Sequence, residues 1–144
     1  MVNNNIKICL IGTSKSPFKI LNIDLIPWSE NTEIEEMKKF DIGVMPLLDS
    51  FWERGKCGFK LIQYMGCSLP VIGSPVGVNS QIIENGVNGY LASSHEEWYD
   101  YLEKLILSQK LRIEFGEKGR DKVIKYYSKQ VVESSILFFY KKTI

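Results

Sequence analysis

One histidine and three cysteines in 144 residues leave the chain without a metal-binding pattern. Cys9, Cys57 and Cys67 show no CxxC spacing, and His95 has no second imidazole to join it. His95 stands beside Glu96 and Glu97 at a helix start and is assigned no catalytic role. Nothing next to Cys57 argues for an activated thiol. The odd cysteine count and the lack of a signal peptide in MVNNNIKICL point to a reduced, cytoplasmic setting. No apolar run approaches the roughly 18 residues that span a bilayer, although peripheral contact at the inner face of a membrane stays open. A net charge of +1 supplies no general basic field, so composition does not suggest nucleic acid as a partner. Any recognition of phosphate has to be local. Repeats, linkers and low-complexity segments are absent as well.

What is present is an ordinary balance, 44% apolar and 24% charged, enough for one domain over residues 1–144 with a normal core. Ile6 to Ile11 and Asn22 to Pro27 read as strands, with a loop over Thr13 to Pro17. Ser29, Asn31 or Thr32 can cap a helix reaching Lys39, with Glu33, Glu35 and Glu36 in its first turns. Asp41 to Leu47, Pro70 to Gly73 and Gly89 to Ala92 are three further strands. Between them lie a long loop from Leu48 to Lys56, a helix from Gly58 to Cys67, and a short helix over Asn79 to Glu84. After Ala92 the chain is helical. Ser94 and Glu97 form a capping box, Ser108 caps a helix that Gly116 and Gly119 are expected to interrupt, and Ser128 caps the last one. Strands alternating with helices give an α/β fold with an open parallel sheet flanked by helices.

The segment from Asp41 to Leu91 carries the chemistry. A strand, a glycine-punctuated loop and a helix in succession aim backbone N–H groups and the positive end of a helix at an anion. Lys56 and Lys60 add mobile point charges suited to phosphate. Lys60 and Gln63, three apart, share one helical face, and Lys56 sits near its N-terminal end. The plain alternative is two solvated lysines and an ordinary surface glutamine. Gly58 serves either as an amide offered to a diphosphate or simply as a helix-start glycine. Ser74, Pro75 and Gly77 form a turn on the ligand edge, structural or ligand-facing. Trp28 follows the second strand at its C-terminal end, where it either borders a nucleobase or is a buried tryptophan.

DIGVMPL at 41–47, GKCGFKLIQYMGCSLPVIGSPVG at 55–77 and NGVNGYLA at 85–92 together resemble the donor-binding half of a retaining GT-B glycosyltransferase, family 4 (group 1). Weaker support comes from the Trp98 region, LRIEFGEKGR at 111–120 and the Tyr127-Ser128 pair, and the resemblance runs from about Ile6 onward. It implies the Rossmann-like C-terminal half of such an enzyme, a UDP- or GDP-sugar as ligand, no cofactor, and an N-terminal acceptor-binding half or partner chain. In that family the stretch holding Lys56, Gly58 and Lys60 meets the diphosphate, and the position of Gln63, usually glutamate, bonds the ribose hydroxyls. A glutamine still serves a diol, since its amide both donates and accepts.

Two departures qualify the resemblance. Many members carry a glutamate eight residues before that ribose-binding position; here Gly55 stands there and Gln63 replaces the second acid. The family's half also opens with a strand and basic loop that have no counterpart, so Ile6 to Ile11 corresponds to its second strand and the usual first, central strand is missing. Exposed strand edges and the apolar run Ile136 to Phe139 then favour self-association. A chain of this kind is expected to be inactive without its acceptor half. The rival reading is a non-enzymatic, truncated or degenerate module acting in protein–protein interaction. A phosphoacceptor receiver domain is excluded, because Gly12-Thr13-Ser14-Lys15 stands where its acidic cluster would be.

Overall fold

The computed structural model describes residues 6–15 and 22–143, with side chains of the last helix described through Phe138. Of the expected first loop, Ser16 and Pro17 lie outside the described residues, as does the Phe139 side chain. The chain divides into two compact units, residues 1–39 and 40–144.

In the first unit β1 (Ile8–Ile11) and β2 (Ile23–Ile26) pair in parallel, Ile8 opposite Ile23 and Ile11 opposite Ile26. The amide of Gly12 extends the ladder to the Ile26 carbonyl at 2.9 Å. The helix that follows, α1 (Glu33–Met37), is shorter than expected, and Thr32 at its N-cap makes no side-chain capping bond. Glu33, Glu35 and Glu36 complement the positive end of the helix instead.

The second unit holds β3 (Gly43–Met45), β4 (Val71–Gly73) and β5 (Gly89–Leu91), parallel and in the order β3-β4-β5. β4 is buried throughout because consecutive residues feed opposite layers. Val71 joins Leu61, Met65, Ile82 and Ile83 in one cluster, while Ile72 joins Ala92, Leu105 and Phe115 in the other. The first cluster is supplied by α3 (Phe59–Gly66) and the segment around α4 (Asn79–Ile82). The second draws on α5 (His95–Leu107) and the start of α6 (Gln109–Tyr127). Val123 and Tyr127, further along α6, pack against the first cluster, so one helix serves both. A last helix, α7 (Lys129–Thr143), follows. The Ser94–Glu97 capping box is present, and Ser108 caps α6 through the amide of Leu111 at 3.2 Å. Among the described residues, no helix is long and apolar enough to cross a membrane.

Parallel strands alternating with helices are as expected, but they form two sheets rather than one. Among the described residues β1 and β3 are each bonded to a strand on one side only. The sequence reading fails at Gly116 and Gly119, which do not interrupt α6. Both are buried, and a Cβ on Gly116 would collide with the Ser68 carbonyl oxygen. These glycines let a continuous helix approach neighbouring backbone rather than break it.

Candidate functional site

The long loop after β3 is not irregular throughout. Ser50 caps a four-residue helix, α2 (Phe51–Arg54), accepting from the Glu53 amide at 3.5 Å while its hydroxyl donates to the Glu53 carboxylate. Arg54 closes a fork on Asp49, with Nε–Oδ1 at 2.6 Å and Nη2–Oδ2 at 3.0 Å. The Arg54 bond holds the Asp49 carboxyl below the ordinary range; the Ser50 hydroxyl, with a smaller part from the Lys56 charge, does the same for Glu53. The amides of Gly55 and Lys56 then bond back to the carbonyls of Trp52 and Glu53 at 3.2 and 3.1 Å.

The chain next reaches Gly58, buried and left-handed at φ +67°, as the N-cap of α3. A side chain here would be strained by the backbone and would strike Ile82. No side chain caps α3, so its N-terminal turn presents backbone amides and a positive dipole end beside the lysines. Lys56 is exposed and Lys60 half-buried. Gln63 lies one turn along the same helix, half-buried, with its Oε1 shielded from solvent. This placement keeps Lys56, Gly58 and Lys60 on one short stretch, whereas the amide oxygen of Gln63 faces inward in this conformation.

Ser74 is buried and committed to the scaffold: its hydroxyl accepts from the Leu47 amide at 2.9 Å, and its own amide bonds the Met45 carbonyl at 3.2 Å. Asn79, passed over in the sequence, donates from Nδ2 to the Ser74 carbonyl at 3.0 Å and is likewise buried. Gly77, at φ +57°, backs onto the Arg54 carbonyl so closely that a Cβ would lie 2.7 Å from its oxygen. The turn after β4 therefore fixes the loop after β3. The signal for α2 was Ser50-x-x-Glu53, the same pattern that identifies the start of α5 at Ser94.

In the first unit, Gly12, Thr13, Ser14, Leu25, Pro27 and Trp28 line a cleft of about 490 Å³ at the C-terminal ends of its strands. Trp28 is 58% exposed, not buried, and its indole N–H donates to Glu33 at 3.0 Å, which fixes the ring. A separate cavity of about 500 Å³ in the second unit lies between the end of α4 and α6 and includes none of the loop residues. Lys122 on its wall is engaged with the Gln81 carbonyl at 2.9 Å. Among the described residues no group of three or more His, Cys, Asp or Glu side chains is placed to hold a metal ion.

The model of the family described as glycosyl transferases group 1 matches residues 2–108. Nothing among curated proteins matches. Among solved structures, the C-terminal domain of a glycosyl transferase group 1 family protein, LpcC from Francisella tularensis, is 27% identical with a TM-score of 0.61, covering 76% of this chain and 55% of that one. A TarM variant from S. aureus, solved with fondaparinux, alpha-GlcNAc-glycerol and UDP, is 25% identical with a TM-score of 0.62, over 82% of this chain and 24% of that one. HepE from Anabaena, solved with UDP and glucose, is alike in fold alone: 14% identity, TM-score 0.72, 85% of this chain and 32% of that one. The chain thus spans between a quarter and little more than half of the structures it matches.

Proposed function

Since the chain belongs to the glycosyl transferases group 1 family, we propose that residues 1–144 act as one donor-binding domain for a UDP- or GDP-sugar, serving glycosyl transfer with retention of configuration. The observation that carries this reading is the uncapped start of α3, with left-handed Gly58 at its N-cap and Lys56 and Lys60 on either side. An N-terminal helical turn with no side-chain cap, its dipole and two lysines within five residues match a diphosphate. UDP in the TarM and HepE structures supports the ligand class. The role proposed for Lys56 and Lys60 is to neutralise charge on the departing nucleoside diphosphate, which lowers the barrier by positioning and electrostatics. Gln63 is assigned the ribose, after its side chain turns outward. Ser74 contributes by holding the loop after β3, through its bond to Leu47.

The acceptor group lies outside this reading, so transfer requires a second, acceptor-binding half or a partner chain. A cytoplasmic location, peripheral to a membrane or not, remains part of the proposal. The rival reading, a module retained for protein interaction, is favoured by Gly55 and Gln63 in place of two carboxylates and by the two separate sheets. Titration calorimetry with UDP and GDP separates the two. The donor-binding reading expects measurable binding, and Lys60→Ala should weaken it by about 1.5–3 kcal/mol, the range for hydrogen bonds to charged groups. A wild-type chain that binds neither nucleotide returns the rival.

A further inference from the structure

The cavity between the end of α4 and α6, about 500 Å³, has the size of a small-ligand site, and both of its walls are fixed. On one side buried Asn88 ties down the turn after α4. Its Oδ1 accepts from the Glu84 amide at 2.8 Å, and its Nδ2 donates to the Ile82 carbonyl at 3.3 Å. On the other side Gly116 and Gly119 seat α6 against Ser68 and Met65. Lys122 joins the two walls, donating from Nζ to the Gln81 carbonyl at 2.9 Å. A strut of this kind sets the width of the opening, so little order has to be imposed when a ligand enters.

The polar groups on these walls are not taken up by one another. Glu84 lines the same cavity as Lys118 and Lys122, yet among the described residues its carboxylate pairs with neither. Lys118 is held at 2.6 Å by Glu114 instead. Tyr127 packs its ring against the Leu61–Ile83 cluster, and among the described residues nothing bonds its hydroxyl. A tyrosine hydroxyl beside an apolar cluster ordinarily finds a partner. Tyr126, 53% exposed, has the Lys125 ammonium over its ring at 5.0 Å. The cavity therefore offers a carboxylate that accepts, ammonium groups that donate and phenols that do both.

The balance of charge decides what such a set can hold. From Glu114 to Lys125 along α6, Lys118, Arg120, Lys122 and Lys125 oppose Glu114, Glu117 and Asp121, and Glu84 on the facing wall makes the signs equal. A phosphate or a polycation finds no net field here. An apolar ligand finds little to cover it, since Val87 is the one aliphatic side chain of the lining. Donors, acceptors and aromatic rings without net charge suit a neutral polyhydroxylated ring, whose hydroxyls both donate and accept and whose C–H face can lie on a phenol.

We propose that this cavity is a saccharide-binding site, separate from the Gly55–Gln63 loop, with Tyr126 and Tyr127 as its ring contacts and Glu84 and Lys122 as its hydroxyl contacts. It takes a neutral mono- or disaccharide unit and does not depend on the nucleotide reading of Lys56 and Lys60. Titration of the isotope-labelled full chain by amide NMR tests it, with glucose, galactose, N-acetylglucosamine, maltose and lactose as probes. At least one should move the signals of Glu84, Asn88, Lys122 and Tyr126 saturably across the millimolar range. Tyr126→Ala should weaken that binding about three- to tenfold, the measure of one aromatic contact. Glu84→Ala, whose carboxylate has no protein partner to lose, should weaken it about threefold or more at an unchanged melting temperature. Signals that no saccharide moves, or affinities that Glu84→Ala leaves at the wild-type value, overturn the proposal. So does inorganic phosphate or UDP moving these four signals more than any saccharide does, which would make the cavity an anion site.

Discussion

Gly116 and Gly66 are both glycines within helices, and their surroundings give them opposite roles. A Cβ on Gly116 would meet the Ser68 carbonyl, whereas one on Gly66 meets nothing within 4 Å. Helix propensity alone would favour alanine at either position by up to about 1 kcal/mol. Thermal or urea unfolding should therefore show Gly66→Ala neutral to stabilising by roughly 0.4–1 kcal/mol. Gly116→Ala should destabilise by about 1–3 kcal/mol, the usual cost of forcing atoms into packed space. Equal effects at the two sites would mean that α6 does not lie against Ser68 as described. The sequence reading took Gly116 as a breaker because the residue it accommodates, Ser68, is nearly fifty positions away. Trp28 was ambiguous for a different reason: the Glu33 carboxylate that fixes its ring in the open is only five residues on, but apolar patterning carries no signal for a side-chain bond of that kind.

At the scale of elements, β3, β4, β5, α3 and α5 were legible because each is an apolar run or stripe bounded by turn residues. Four residues are too few to show a period, so α2 disappeared into a loop although its capping pair was visible. The same short helix makes a pH prediction. Asp49 and Glu53 have folded-state pKa values depressed by Arg54 and Ser50 respectively. Their contribution is present above the unfolded-state carboxylate values and is lost as pH falls through the lower folded ones. Near neutrality α2 should be indifferent to pH, loosening only in acid below the ordinary carboxylate range. Side-chain NMR titration should place Asp49 below a free aspartate, with Arg54→Ala moving it back up. An Asp49 midpoint insensitive to Arg54→Ala would show that the fork does not form in solution.

For the whole molecule, the strands that were foreseen lie in two sheets, and β1 and β3 each keep an edge with no strand bonded to it among the described residues. Parallel sheets are seldom left this open. Ile136, Leu137 and Phe138 are also exposed on α7. The 144-residue chain should accordingly gain mass with concentration in light scattering, and Leu137→Glu with Phe138→Glu should reduce the gain. A strict monomer across the series would contradict it. The architecture was readable from alternating strands and helices. A gap in the sheet was foreseen from the missing central strand; that the described strands form two separately bonded sheets was not, because hydrogen bonding between strands is decided by what else is present to pair with them.

One consequence of α6 concerns heritable change rather than chemistry. Phe115 packs in one apolar cluster and Val123 and Tyr127 against the other, so the helix keeps two appointments separated by a fixed number of residues. A single codon gained or lost between them would rotate everything downstream by about 100°, turning Val123 and Tyr127 away from their partners. Point substitutions there can be graded, but changes of length cannot. The count of residues from Phe115 to Tyr127 is itself part of what the gene must transmit.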